Sequence, residues 1–110
     1  MRKKTTSELI QHLKNEAPHF KWVRLLVKFE SFEEYIGPDD ANSLEKLNEA
    51  VERGGVPVGL VGVAGDHLRL VALNEFRDVE WMANYCNKIV KANPWNLSNE
   101  DRSIENGWVN

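Results

Sequence analysis

Asp66, His67 and Arg69 fall within four residues of one another, and their side chains are of the types that hold an anion or move a proton. An imidazole beside a guanidinium suits a carboxylate or phosphate ligand, and histidine is the usual acid–base group near neutral pH. The same residues fit a solvated turn, for which Asp is favoured, and local spacing sets no second carboxylate or nucleophile beside them. The turn reading is preferred, with a weak ligand site at Asp66, His67 and Arg69 kept beside it. Gly59-x-x-Gly62-x-x-Gly65 has the spacing of a phosphate loop. A phosphate cradle needs its glycines between a strand and a helix N-terminus, where free amides point at the anion. These glycines lie inside a strand and its turn, so Gly59 and Gly62 are read as places where a neighbour comes close. Cys86, the one cysteine, sits in mid-helix on a side shared with Val79, Ala83 and Val90. A reactive thiolate wants a helix N-terminus or an adjacent base, so Cys86 is assigned to the core. His12/Glu16 and Glu16/His19 have helical spacings, but Pro18 interrupts the second pair and no further ligand stands nearby. Neither a metal nor a cofactor is expected.

The aromatic residues carry more information. Trp22, Trp81, Tyr85, Trp95 and Trp108 are many for so short a chain. Trp81 and Tyr85 are one helical turn apart and border a polar stripe beside Lys88. Either the tail residues Trp95 and Trp108 cap the wide apolar face of that helix, or Trp81 and Tyr85 stay open and dock a partner. Trp and Tyr are the residues that dominate interface energetics. Internal packing is the preferred account; Trp81, Tyr85, Trp95 and Trp108 are the candidates for partner contact.

Several elements must position these groups. Thr5-Thr6-Ser7-Glu8 fits a capping box, followed by Leu9, Ile10 and Leu13 on a narrow helical seam that ends before Pro18. In His19–Phe29, Val23, Leu25, Val27 and Phe29 alternate with polar residues, Leu26 excepted, while Lys21, Arg24, Lys28 and Ser31 also trace a helical stripe. A strand is preferred, because a two-stranded hairpin is marginal alone and this segment is the best third strand. After Gly37-Pro38, the residues Asp39, Asp40 and Asn42 offer caps to a helix with Leu44, Leu47, Ala50 and Val51 on one face. Gly54-Gly55 closes that helix. Val56–Ala64 and His67–Leu73 then form a hairpin across Gly65-Asp66, which suits a type II′ turn. The register follows: Ala64 opposes His67, Val63 opposes Leu68, Gly62 opposes Arg69 and Val61 opposes Leu70. One face carries Val61, Val63, Leu68, Leu70 and Ala72, and the other Val58, Leu60, Val71 and Leu73. Both faces are apolar near the base, so each must be covered. Phe76–Ala92 is the last helix, with Asp78 in its first turn and Asn93-Pro94 at its end.

The reading is therefore a single α+β domain over 1–93 with a tail at 94–110, ordered α-β-α-β-β-α and closed by a short strand at Trp108-Val109. Without the first helix this is βαββα(β), the order of a ferredoxin-like unit. The run Gly55-Val56-Pro57-Val58-Gly59-Leu60-Val61-Gly62 resembles the central hairpin of GNAT-type acetyltransferases. That family's pyrophosphate loop, Arg/Gln-x-x-Gly-x-Gly/Ala ahead of a helix, has no counterpart, since Asn74-Glu75-Phe76-Arg77-Asp78 follows the hairpin.

Composition bounds the rest. A chain of 110 residues with 42% hydrophobic and 28% charged residues is of ordinary globular make-up. Its formal net charge of −3 gives no general attraction for a polyanion, so nucleic acid is not the expected partner. No apolar stretch has the length of a signal or a membrane span, and a lone cysteine fits a reducing compartment, so the expectation is cytoplasmic. Two functions remain. The first is a non-enzymatic protein–protein interaction module, a small adaptor, regulator or inhibitor that also suits a homodimer. The second is a small-ligand-binding or acyltransferase-like domain with an anion site at the hairpin tip.

Overall fold

Thr5 and Glu8 satisfy each other's backbone at the start of the first helix: the Glu8 amide donates to Thr5 Oγ1 at 3.2 Å and the Thr5 amide to Glu8 Oε1 at 3.1 Å. The computed structural model describes residues 4–92 and 102–108. From that box the chain runs through α1 (Thr6–Glu16), a 3-10 turn (Ala17–His19), β1 (Trp22–Lys28) and β2 (Glu33–Ile36). It continues through α2 (Ser43–Glu52), β3 (Val56–Ala64), β4 (His67–Leu73), α3 (Val79–Ala92) and β5 (Arg102–Trp108). The α+β class and the run of elements match the sequence reading, with β2 added. Within His19–Phe29 a strand forms over Trp22–Lys28, its two sides entering two different cores, while His19 ends the 3-10 turn.

The five strands lie in the order β2-β1-β3-β4-β5. All neighbours are antiparallel except β4 and β5, which are parallel and joined by α3. This corrects the ferredoxin-like arrangement. A split βαβ unit holds a strand between its two parallel members, whereas here β5 lies directly beside β4. The last strand also begins earlier than the Trp108-Val109 expected of it; Val109 lies outside the described residues. The β3–β4 register is the one derived from the turn, with Gly62 opposite Arg69 and Ala64 opposite His67. Gly65 at the turn has a φ of +62°.

Two cores form, one on each face of the sheet. Leu9, Ile10 and Leu13 of α1 and Leu47 and Ala50 of α2 pack with Val23, Leu25, Val27, Leu60 and Leu73. Met82, Tyr85, Cys86 and Val90 of α3 pack with Leu26, Val61, Val63, Leu68, Leu70 and Ala72. Leu26, the exception to the alternation in β1, belongs to the α3 side. Val58 also lies there, not with Leu60 as strict alternation required. The pairing passes from Leu26↔Gly59 to Val27↔Pro57, so β3 carries one extra residue. A bulge reverses the side-chain parity beyond it.

The helix ends differ in detail from expectation. Asn42 occupies the α2 N-cap without a side-chain bond, while Asp40 accepts from the Gly37 amide at 2.8 Å. At the other end Gly55 N donates to Ala50 O at 2.8 Å and Gly54 N to Val51 O at 3.0 Å, with Gly54 at φ +94°. That pair of bonds is a Schellman motif. Leu44 and Val51 stay exposed, so the buried face of α2 is narrower than its sequence pattern. α3 starts at Val79 and not at Phe76, because Asp78 Oδ1 accepts from the Trp81 amide at 3.0 Å and acts as the cap. Val79, assigned to the core beside Cys86, is exposed. Among the described residues no helix is long and apolar enough to cross a membrane.

Candidate functional site

The hairpin tip does not present a free cation. Arg69 donates to Glu105 on β5 through two bonds, Nε to Oε2 at 2.8 Å and Nη2 to Oε1 at 2.9 Å. Its guanidinium carbon lies 5.2 Å from the centre of the Phe20 ring. Phe20 fills the space left by Gly62, where an added Cβ would stand 2.5 Å from Phe20 Cδ2. Ser103 Oγ donates to the same Glu105 carboxylate at 2.9 Å. The Arg69 guanidinium holds the Glu105 carboxyl below its ordinary value, with Ser103 and the nearby His67 adding to the effect. A bidentate partner already matches the fork of donors that an anionic ligand would need. Asp66 is exposed and His67 half-buried, so the three predicted residues are neighbours without converging on a ligand.

The other chemical candidates are also engaged in structure. Cys86 is buried in the α3 core, where burial pushes its thiol up to about 11. The α3 N-terminus, the place for an anion in an acyltransferase-like reading, holds the chain's own Asp78 carboxylate. Among the described residues no cluster of His, Cys, Asp and Glu could hold a metal ion.

A different constellation gathers on the α3 side of β1 and β2. Trp22, Arg24, Leu26 and Lys28 alternate onto that face of β1, and Tyr35 on β2 pairs with Leu26. Tyr85 reaches across from α3, and the two tyrosine hydroxyls meet at 2.8 Å. Burial first, and then the bond to Tyr35, pushes the Tyr85 phenol well above its ordinary value. Trp81 stacks on Tyr85 with centroids 5.3 Å apart and rings 10° from parallel, and Phe76 meets the Trp81 ring edge-on at 5.7 Å. The rings of Trp22 and Tyr35 lie 6.3 Å apart. The result is a continuous band, Trp22–Tyr35–Tyr85–Trp81–Phe76.

Cations cover this band. Arg24 lies 5.0 Å from the Trp22 ring centre, Lys28 Nζ 5.7 Å from Trp81 and Lys88 Nζ 5.6 Å from Tyr85. These distances are those of cation–π contact. Lys88 also pairs with Glu33 at 2.7 Å. Exposure varies along the band: Tyr85 is buried, Trp81 and Trp22 are half-buried, and Tyr35 is 41% exposed. Of the predicted partner residues, Trp81 and Tyr85 therefore stand together, Tyr85 as the inner support and Trp81 at the surface. Trp95 lies outside the described residues, and Trp108 is described only as part of the β5 backbone. Tyr35, Arg24 and Lys28 were not singled out from sequence. The signal for Arg24 and Lys28 was the even-numbered side of β1, and Tyr35 joins them from β2 opposite Leu26, legible only once both segments are taken as paired strands.

Comparison of the chain with protein-family models, with curated proteins and with solved structures finds no match in any of the three. The functional reading therefore rests on the chain's own geometry.

Proposed function

We propose that this domain is a non-enzymatic protein–protein interaction module that docks its partner on the aromatic band of β1, β2 and α3. The observation that carries the reading is Tyr35. It is a large ring left 41% exposed within the aromatic band, tilted against Trp22 and held by a hydrogen bond to a buried tyrosine. Rigid aromatic rings beside arginine are the composition of interface hot spots. The rim cations Arg24 and Lys28 favour a partner with acidic residues around its own apolar contact. The adaptor or regulator role, the cytoplasmic setting and self-association belong to this reading. It gains support from the groups suited to chemistry, since Arg69, Asp78 and Cys86 each serve the fold.

The test combines self-association with partner capture. Sedimentation over a range of concentrations reports a homodimer, and photo-crosslinking from position 35 reports a different protein. Tyr35→Ala should weaken either contact about thirtyfold, the effect of losing roughly 2 kcal/mol at a hot spot. Lys28→Glu should weaken it as well, while Ile104→Ala, an exposed apolar residue on β5, should leave it intact. A contact insensitive to Tyr35→Ala and Lys28→Glu, or an oligonucleotide bound by the band, would overturn the reading.

A further inference from the structure

A second concave surface lies away from the aromatic band. At the end of the sheet where α1 begins and α2 ends, a half-open cleft of about 510 Å³ is walled by Leu9, Val51, Val56, Pro57 and Leu73. That volume is in the range of small-molecule sites. Leu9 and Leu73 are buried and form the floor, whereas Val51 is 40% and Val56 49% exposed. Two apolar walls thus face water across an apolar floor. The Schellman turn at Gly54-Gly55 places Val51 opposite Val56, and Pro57 follows directly on β3.

The polar groups sit at the mouth. Lys4 and Thr6 line it from the start of the chain and Asn74, Glu75 and Arg77 from the segment after β4. Among the described residues neither Lys4 nor Arg77 enters an ion pair, in contrast to Arg53 and Arg69, each of which has a carboxylate partner. Two cations against one carboxylate leave the mouth net positive. An apolar trough with a cationic mouth matches a ligand whose body is apolar and whose head is anionic.

We propose that this cleft binds an amphipathic monocarboxylate, a medium-chain fatty-acid-like molecule with its alkyl body against Val51, Val56 and Leu73 and its carboxylate at Lys4 and Arg77. The site is separate from the aromatic band, and each can fail without the other. Titration of the whole chain with hexanoate, octanoate and decanoate, read by calorimetry and by amide chemical shifts, tests it. Affinity should rise three- to fourfold per methylene, the effect of burying about 0.8 kcal/mol of CH₂ each time, until the trough is full. Shifts should map to residues around Val51, Val56 and Arg77. Decanol should bind more weakly than decanoate, and decyltrimethylammonium more weakly still.

The double change Lys4→Gln with Arg77→Gln should weaken decanoate about tenfold, as expected for losing a charge-assisted contact, and leave decanol unchanged. Val56→Glu, at a half-exposed position that tolerates a polar group, should abolish binding of the carboxylates. Thermal melts of the free variants check that each folds. Affinity independent of chain length, an alkylammonium bound as tightly as the carboxylate, or shifts confined to the aromatic band would each overturn the proposal.

Discussion

Gly59→Ala is the single substitution that most directly tests why β3 bulges. Gly59 sits at φ +153° beside the extra residue Val58, in a region that only glycine adopts readily. A Cβ there would stand 2.1 Å from Val71 O and 2.8 Å from Ala72 Cα. Both atoms are backbone of β4, so no rotamer relieves the overlap. Forcing alanine into this φ costs about 1–3 kcal/mol as backbone strain. Separating β3 from β4 enough to admit the methyl loses one or two ladder bonds, at about 1 kcal/mol each. The sum is on the order of 2–5 kcal/mol, a large share of the roughly 5–15 kcal/mol that holds a domain of this size. Gly65→Ala is the matched control. It too has a positive φ, +62°, but nothing lies within 4 Å of its added Cβ. Its cost is that of a left-handed alanine alone, about 1–2 kcal/mol. Urea unfolding of the two variants against the wild type measures the difference. Gly59→Ala should lower the midpoint about twice as far as Gly65→Ala. Equal losses would mean that backbone conformation alone matters, and that the close approach to Val71 is not what selects glycine.

Acid should loosen β5. Glu105 ionises below its ordinary value of 4.5 when folded, so its contribution is full above that pH and is lost as pH falls through the lower folded value. Because the pair is about a third exposed, its worth is roughly 1 kcal/mol or less, and the amide protection factors of β5, corrected for the intrinsic rate at each pH, should fall in acid for the wild type but stay flat for Glu105→Gln. Tyr85→Phe should cost about 0.5–1 kcal/mol in urea unfolding, at the low end for a hydrogen bond, since water can replace the lost partner of exposed Tyr35. In alkali the Tyr85 phenolate should appear only as the chain unfolds above pH 10, because the unfolded chain ionises there while burial keeps the folded phenol neutral. Cys86, with its thiol pushed up to about 11, should react with iodoacetamide at the rate of unfolding, and cysteine in denaturant should react at once.

How much of this was legible depends on whether the deciding interaction was local. The capping box of Thr5 and Glu8, the Gly54-Gly55 stop and the Gly65 turn are short-range, and each appears where the residue types place it. The hairpin register follows from the turn alone and is correct along its length. β2 was not legible, because Glu33–Ile36 has four residues and alternates only weakly; its pairing with β1 makes it a strand. The side of Val58 was not legible either, since the bulge depends on β1 and β4 lying on both sides of β3. Arg69 shows the same limit in the site. Its spacing from His67 is local, but the partner that occupies its guanidinium comes from Glu105, thirty-six residues further on.

The same geometry moves the question of function away from the hairpin. Both hairpin faces are apolar, which raised the need for a cover on each, and both covers come from this chain. The two sides are nevertheless unequally roofed. Five strands about 4.8 Å apart make a sheet roughly 19 Å wide, and a helix with its side chains is about 10 Å across. α1 and α2 together span one face, but α3 alone spans about half of the other. α3 packs over β4 and β5, so the remaining half is the surface of β1 and β2. Among the described residues no helix lies over that half, and rings stand there instead: Tyr85 and Trp81 reach out from α3, Trp22 and Tyr35 rise from the strands, and cations lie beside them. An ordinary core would finish that half with a second helix. Tyr35 is left exposed there on an aromatic support, and under the proposed function it is where a second protein would complete the layer.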